Sequence, residues 1–244
     1  MKIFAKSDVG KLRNLNEDSY YIPEENLGID IFVLSDGMGG HNAGEVASAL
    51  ATSAAKSYIV NNYEFTFNDK EDIQKLINGA VEYANMIVYE KSKEDEKYKK
   101  MGATLEVVLI IQDKIYIAHA GDSRIYRLRK DIFRKLTKDH SYIEKLVDEG
   151  KISKEEAKNH PDKNMITKAI GNGMIVEADI IYKKFVKGDT LLICSDGLTN
   201  MVEEDRIKEI LLNTPDDVNI AQKLVDEANN NGGIDNITVI VIKK

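Results

Sequence analysis

The chain has 244 residues, 43% hydrophobic and 31% charged, with a single cysteine and a formal net charge of −7. No apolar run approaches the roughly 18 residues needed to span a bilayer, and the negative surplus repels nucleic acid and anionic lipid, so neither partner class is expected. The lone Cys194 excludes an internal disulfide. With a charged N-terminus that does not read as a signal peptide, it points to the cytoplasm. Size and composition suit one folded domain over residues 1–244, with a monomer as the default.

The first apolar run, Ile31 to Leu34, reads as a strand. Val46, Leu50 and Ala54 mark a helix after Gly44-Glu45. Ile73, Leu76, Ile77, Ala80, Val81, Ala84, Ile87 and Val88 recur at three and four, the stripe of a long amphipathic helix. The charge run at 91–100 reads as its solvated end. Leu105 to Ile111 and Ile115 to Ala120 flank a turn at Gln112-Asp113, and Arg124 to Arg129 and Ile132 to Leu136 flank another at Lys130-Asp131. Such tight connections imply antiparallel pairing. Ser141-x-x-Glu144 and Ser153-x-x-Glu156 are capping boxes, so about 141–171 is a small helical excursion between strands. A strand at Thr190 to Cys194, helices around Ile207–Leu211 and Ala221–Ala228, and a strand at Ile237 to Ile242 complete the chain. Strands and helices mix without strict alternation, which predicts an α+β fold of antiparallel sheets with helices packed outside.

The carboxylates are placed more tellingly than they are numerous. Asp36 follows Ile31–Leu34, Asp122 follows Ile115–Ala120 across Gly121, Asp196 follows Leu191–Cys194, and Asp235 stands just before Ile237. Each is within a residue or two of glycine. Any one Asp-Gly pair alone reads as a turn. Four at strand ends suggest carboxylates fixed on rigid elements, and if they converge they cannot all stay ionised without divalent cations. All-oxygen ligation suits Mg²⁺ or Mn²⁺, and no His/Cys cluster competes for zinc. From spacing alone, the cluster at Arg13, Glu17 and Asp18 reads as surface salt bridging.

These residues also carry a resemblance. Ser7-Asp8-Val9-Gly10 with Arg13 and Asn16-Glu17-Asp18-Ser19 comes first, then Asp36-Gly37-Met38-Gly39-Gly40-His41 with Gly44-Glu45. Met101-Gly102-Ala103-Thr104, Ala120-Gly121-Asp122-Ser123-Arg124, Leu136-Thr137 and Asp139-His140-Ser141 follow. His160-Pro161, Ala169-Ile170-Gly171, Cys194-Ser195-Asp196-Gly197-Leu198 and Gly233-Ile234-Asp235-Asn236-Ile237-Thr238 close the series. In this order, nearly end to end, they make the chain similar to bacterial metal-dependent protein phosphatases of type 2C.

The resemblance implies a four-layer α-β-β-α sandwich with a mobile flap near 141–171. It implies hydrolysis of phosphoserine and phosphothreonine in proteins by a metal-bridging hydroxide attacking phosphorus in line, reversing a bacterial Ser/Thr kinase. Carried over, Asp36 bridges two Mn²⁺ or Mg²⁺ ions, the Gly37 carbonyl joins the first, and Asp196 and Asp235 complete the second. Asp122 with Asp196 would take a third metal. Glu17 and Asp18 match positions that orient metal-bound waters, and Arg13 matches the arginine that grips phosphate, whose planar fork suits a bidentate contact. Cysteine-based phosphatase chemistry is excluded on paper, because six positions after Cys194 stands Asn200 rather than arginine. The chain departs from animal members at Met38, where they carry a proton-donating histidine; His41 is the candidate acid, with a metal-bound water as the alternative. It departs again at Ala103, where relatives carry threonine. His119 reads as core, His140 as structural and His160 as a flap residue. Hydrolysis of another small phosphoester, or a catalytically weak phospho-binding module on the same fold, are the competing readings.

Overall fold

Alternation within strands buried on both faces decides this architecture. A computed structural model describes residues 1–24, 28–38, 43–64, 69–158 and 160–244. Its strands are β1 (Lys2–Asp8), β2 (Asp18–Tyr21), β3 (Asp30–Met38), β4 (Gly102–Ala103), β5 (Leu105–Ile111), β6 (Lys114–Ala120), β7 (Arg124–Arg129), β8 (Ile132–Lys135), β9 (Asp179–Lys184), β10 (Asp189–Cys194) and β11 (Ile237–Lys243). Its helices are α1 (Gly44–Asn62), α2 (Lys70–Glu94), α3 (Tyr142–Asp148), α4 (Lys154–Lys158), α5 (Asp196–Thr199), α6 (Glu204–Asn213) and α7 (Ile220–Asn230). One sheet runs β1-β11-β10-β7-β8 and the other β2-β3-β5-β6-β9, with β4 pairing β3, and all pairings are antiparallel.

Phe32, Leu34, Val108, Ile110, Ile115 and Ile117 meet Ile125, Leu191, Ile193, Ile240 and Ile242 in a central layer between the sheets. Their neighbours one residue along point outward, as a period of two requires. Ile31, Val33, Val107 and Leu109 pack under α1 and α2, while Leu192, Cys194, Val239 and Val241 pack under α6 and α7. The result is the expected four-layer α-β-β-α sandwich.

The run Ile31–Leu34 is longer as a strand than its apolar residues suggest. Extended structure continues to Met38, because Asp36 lies opposite Asp18 and Gly37 and Met38 pair with Ala103 and Gly102. Asp36 therefore sits inside a strand rather than past its end. The first capping box forms by half, with Ser141 accepting from the Glu144 amide, and the second forms in full, with Ser153 and Glu156 bonding each other reciprocally. The excursion between β8 and β9 holds α3 and α4 and is tied at both roots. Ser141 bridges to Ile166, and Ala103 exchanges two backbone bonds with Ile170, at 3.1 and 2.8 Å. No described helix is long and apolar enough to cross a membrane.

Candidate active site

Five aspartates from both sheets face one another at one end of the sandwich. Asp18 and Asp36 are direct cross-strand partners, Asp122 follows β6, Asp196 opens α5 after β10, and Asp235 precedes β11. Asp36 is held well above the usual carboxylate range, first by desolvation and then by the charges of Asp18, Asp196, Asp122 and Asp235. Burial pushes Asp18 up to about 7, against hydrogen bonds from Thr238 and Ser195 and with the repulsion of Asp196 and Asp235. Burial, then Asp196, pushes Asp122 up to about 8, and burial, then Asp235, pushes Asp196 up to about 6. Glu17 is raised by burial and by Glu45. Like charges set opposite each other on paired strands are costly unless something neutralises them.

Beneath the carboxylates lies a floor of buried hydroxyls. Ser195 Oγ donates to Asp18 Oδ2 at 2.8 Å and accepts from the Thr238 amide at 2.9 Å. Thr104 Oγ1 accepts from the Asp36 amide at 2.9 Å and pairs with Ser123 Oγ at 2.9 Å. Asp18 Oδ1 is buried and has no hydrogen-bond partner.

Arg13 arrives on the loop between β1 and β2. Asn236 fixes that loop by donating to the Val9 and Leu15 carbonyls, both at 2.9 Å, and accepting from the Glu17 amide at 2.8 Å. Arg13 Nη2 then donates to Asp235 Oδ2 at 3.0 Å, with about half of its side chain open to solvent. Arg124 also lies near the site but is committed to Asp139, 2.7 Å away.

The Asp-Gly pairs are close approaches rather than simple turns. A Cβ on Gly37 would stand 2.2 Å from the Gly44 carbonyl oxygen, and one on Gly197 2.0 Å from that of Asn236. Only glycine lets these backbones pass.

A family model described as Protein phosphatase 2C matches residues 13–227. The chain belongs to the protein phosphatase 2C family. It is 38% identical over 241 residues to a serine/threonine phosphatase, Stp, of Listeria innocua, covering 98% of this chain and 94% of that protein. Its fold is similar to that of the serine/threonine phosphatase Stp1 of Staphylococcus aureus, at a TM-score of 0.92 and 33% identity, covering 100% and 94% of the two chains. It is also similar, at a TM-score of 0.85 and 34% identity over 98% and 96% of the chains, to the catalytic domain of the phosphatase PstP solved with two manganese ions.

Within this 2C-family fold the sequence-derived residues divide clearly. Arg13, Glu17, Asp18, Asp36, Gly37, Asp122, Asp196 and Asp235 all belong to this end of the sandwich, whereas His41 lies outside the described residues. Among the described residues, no three acidic, histidine or cysteine side chains form a ready-made metal cage; the carboxylates act on one another through space instead. Cys194 is buried among apolar groups, and burial pushes its thiol far up, so it offers no nucleophile. Ala103 is fully buried in the layer under α1 and α2, and the hydroxyl beside the site comes from Thr104. His119 is core, as its surroundings predict. Its partner is Glu106, whose one sequence signal is a charge inside the otherwise apolar run Leu105–Ile111.

Proposed function

We propose that this chain hydrolyses phosphoserine and phosphothreonine in proteins with divalent cations held by Asp36, Asp196 and Asp235, reversing the action of a Ser/Thr kinase. The observation that carries this reading is the surplus of mutually repelling carboxylates, with the buried, partnerless Asp18 Oδ1 among them. Arg13 and Arg124 are the nearby cations named by these contacts, and they are too few to neutralise the group. An all-oxygen set of this kind fits Mn²⁺ or Mg²⁺. The complex of the PstP catalytic domain with two manganese ions supports the same choice.

Asp36 with the Gly37 carbonyl would hold one ion, and Asp196 and Asp235 a second, with Glu17 and Asp18 orienting waters beside them. Asp122 and Asp196, whose charges repel each other, would hold a third ion. Bound ions supply charge neutralisation and an acidified water for in-line attack on phosphorus. The chain's own residues do the rest. The Arg13 guanidinium can leave Asp235 to grip two phosphoryl oxygens, since its present ion pair is half exposed. The hydroxyl floor fixes the carboxylate rotamers, and the packed sheets exclude water from below. His41 remains the candidate proton donor to the leaving alkoxide.

Phosphate release from a phosphothreonine peptide, with and without Mn²⁺, tests this for the wild type and Asp36→Asn. Metal-dependent turnover abolished by the substitution is expected. Absence of metal-dependent turnover overturns the reading, and strong preference for a small phosphate ester over phosphopeptides replaces the substrate class.

A further inference from the structure

Away from the metal-site carboxylates, the central layer contains a buried charged pair that the chemistry above does not use. Glu106 and His119 are cross-strand partners on β5 and β6, and both are fully buried. His119 Nδ1 lies 2.7 Å from Glu106 Oε1, and His119 Nε2 lies 2.8 Å from the Lys138 carbonyl oxygen. A carbonyl can only accept, so Nε2 carries a proton. The short contact on the other side then holds one further proton between imidazole and carboxyl. Burial opposes charge on His119, yet Glu106 outweighs it and holds the imidazole well above its ordinary value. Glu106 Oε2 is buried without a partner, so His119 is the group that compensates this carboxylate.

The pair reaches outward through His140. The two imidazoles stack with centroids 4.5 Å apart and planes 20° from parallel. The His140 amide donates to the Gly121 carbonyl at 2.7 Å, and its Nδ1 accepts from the Gly121 amide at 3.1 Å. Its own carbonyl accepts from the Thr167 amide at 2.7 Å. Because Nδ1 accepts, the ring proton is on Nε2, which stands 3.2 Å from Asp179 on β9, where Lys168 also converges. One residue therefore joins both limbs of the excursion to the glycine that precedes Asp122, and His119 holds that residue by its ring face and by the carbonyl two positions earlier.

We propose that Glu106 and His119 are positioning residues: their buried pair grips the root of the excursion at Lys138–His140 and thereby sets the backbone that presents Asp122. The inference rests on the phosphatase reading for its kinetic consequence but not for its structural one. Replacing a buried ion pair by apolar groups of similar volume is often neutral for stability, whereas removing one partner is not. That difference separates positioning from mere packing. In Glu106→Leu/His119→Phe no charge is orphaned and an aromatic ring still faces His140, but the grip on the Lys138 carbonyl is gone.

The test measures melting temperature, kcat and KM on a phosphothreonine peptide with saturating Mn²⁺, and the rate of tryptic cleavage at Lys145 and Lys151 in the excursion. For the double variant we expect a melting temperature within a few degrees of wild type, a kcat lower by about tenfold, KM within about threefold, and faster cleavage at both lysines. Glu106→Gln, which keeps a hydrogen bond to the imidazole, should recover most of that kcat. A double variant that folds, turns over and resists trypsin like the wild type overturns the proposal, as does a loss of kcat that only follows the melting temperature. Should the double variant not fold, His140→Phe decides instead, because it keeps the stack and the backbone bonds and loses only the ring's contacts with the Gly121 amide and with Asp179. Lower kcat with unchanged KM is then expected, and unchanged kcat overturns the proposal. If the wild type shows no turnover at all, the phosphatase reading fails, while the tryptic comparison still decides whether the pair holds the excursion.

Discussion

Ser195 donates a 2.8 Å hydrogen bond to one oxygen of Asp18 and leaves the other oxygen buried and bare. The same hydroxyl accepts from the Thr238 amide, so it fixes Asp18 to the opposite sheet. Ser195→Ala should therefore cost about 1–3 kcal/mol in metal-free protein, because a buried amide and a buried carboxylate each lose a partner. Apparent Mn²⁺ affinity should fall by roughly 10- to 100-fold, the usual cost of losing an outer hydrogen bond that supports a metal site. Urea unfolding in EDTA and Mn²⁺ titration of activity measure the two effects separately.

The raised carboxylates give metal binding a pH signature. Asp196, Asp18 and Asp122 have folded-state values of about 6, 7 and 8, above their ordinary 3.8. Between those limits the metal-free folded state binds more protons than the unfolded chain, so its stability falls as pH rises from about 4 to about 8. A divalent cation replaces those protons. The gain in melting temperature from EDTA to saturating Mn²⁺ should thus be larger at about pH 8 than at about pH 5.5, as read by calorimetry. An equal gain at both would mean that these carboxylates do not take the metal.

Arg13 separates binding from stability. Its ion pair with Asp235 is half exposed, and such pairs contribute only about 0–1 kcal/mol. Arg13→Lys should leave the melting temperature within a degree or two. It should nevertheless reduce kcat/KM on a phosphopeptide by roughly tenfold or more, since an ammonium cannot make the bidentate contact. Steady-state kinetics beside a thermal melt will show whether the two effects part.

Gly197→Ala should be the most damaging of the small substitutions. Its methyl group would stand 2.0 Å from the Asn236 carbonyl oxygen, and Asn236 organises the whole loop that carries Arg13. A destabilisation of about 1–3 kcal/mol is expected from the overpacking alone, together with loss of most activity. Far-ultraviolet circular dichroism on the metal-free variant would distinguish a displaced loop from a failure to fold.

The deeply buried parts of the fold were the readable parts. Val107–Ile111, Leu191–Cys194 and Val239–Ile242 are continuous apolar runs because both their faces are covered, one by the other sheet and one by helices. β1, β2 and β9 carry Lys, Asp and Tyr and are only partly covered, so no comparable run announced them. The strand-end aspartates were legible from position, although Asp36 lies within its strand because β2 and β4 extend the pairing past the apolar residues. Arg13 was not legible from pattern at all; the motif order alone singled it out. Glu106 was hidden for the opposite reason, since its partner His119 is distant in sequence and adjacent only through strand register.

The double backbone link between Ala103 and Ile170, with the bridge from Ser141 to Ile166, closes the excursion as a loop on a rigid base. Lengthening such a loop is thermodynamically cheap; doubling it costs only about 0.6 kcal/mol in closure entropy. Lineages can therefore insert, delete or rewrite the segment between these clasps while the carboxylate framework stays fixed. The fold thus lets the length and surface of the excursion change without disturbing the strand register that positions the carboxylates.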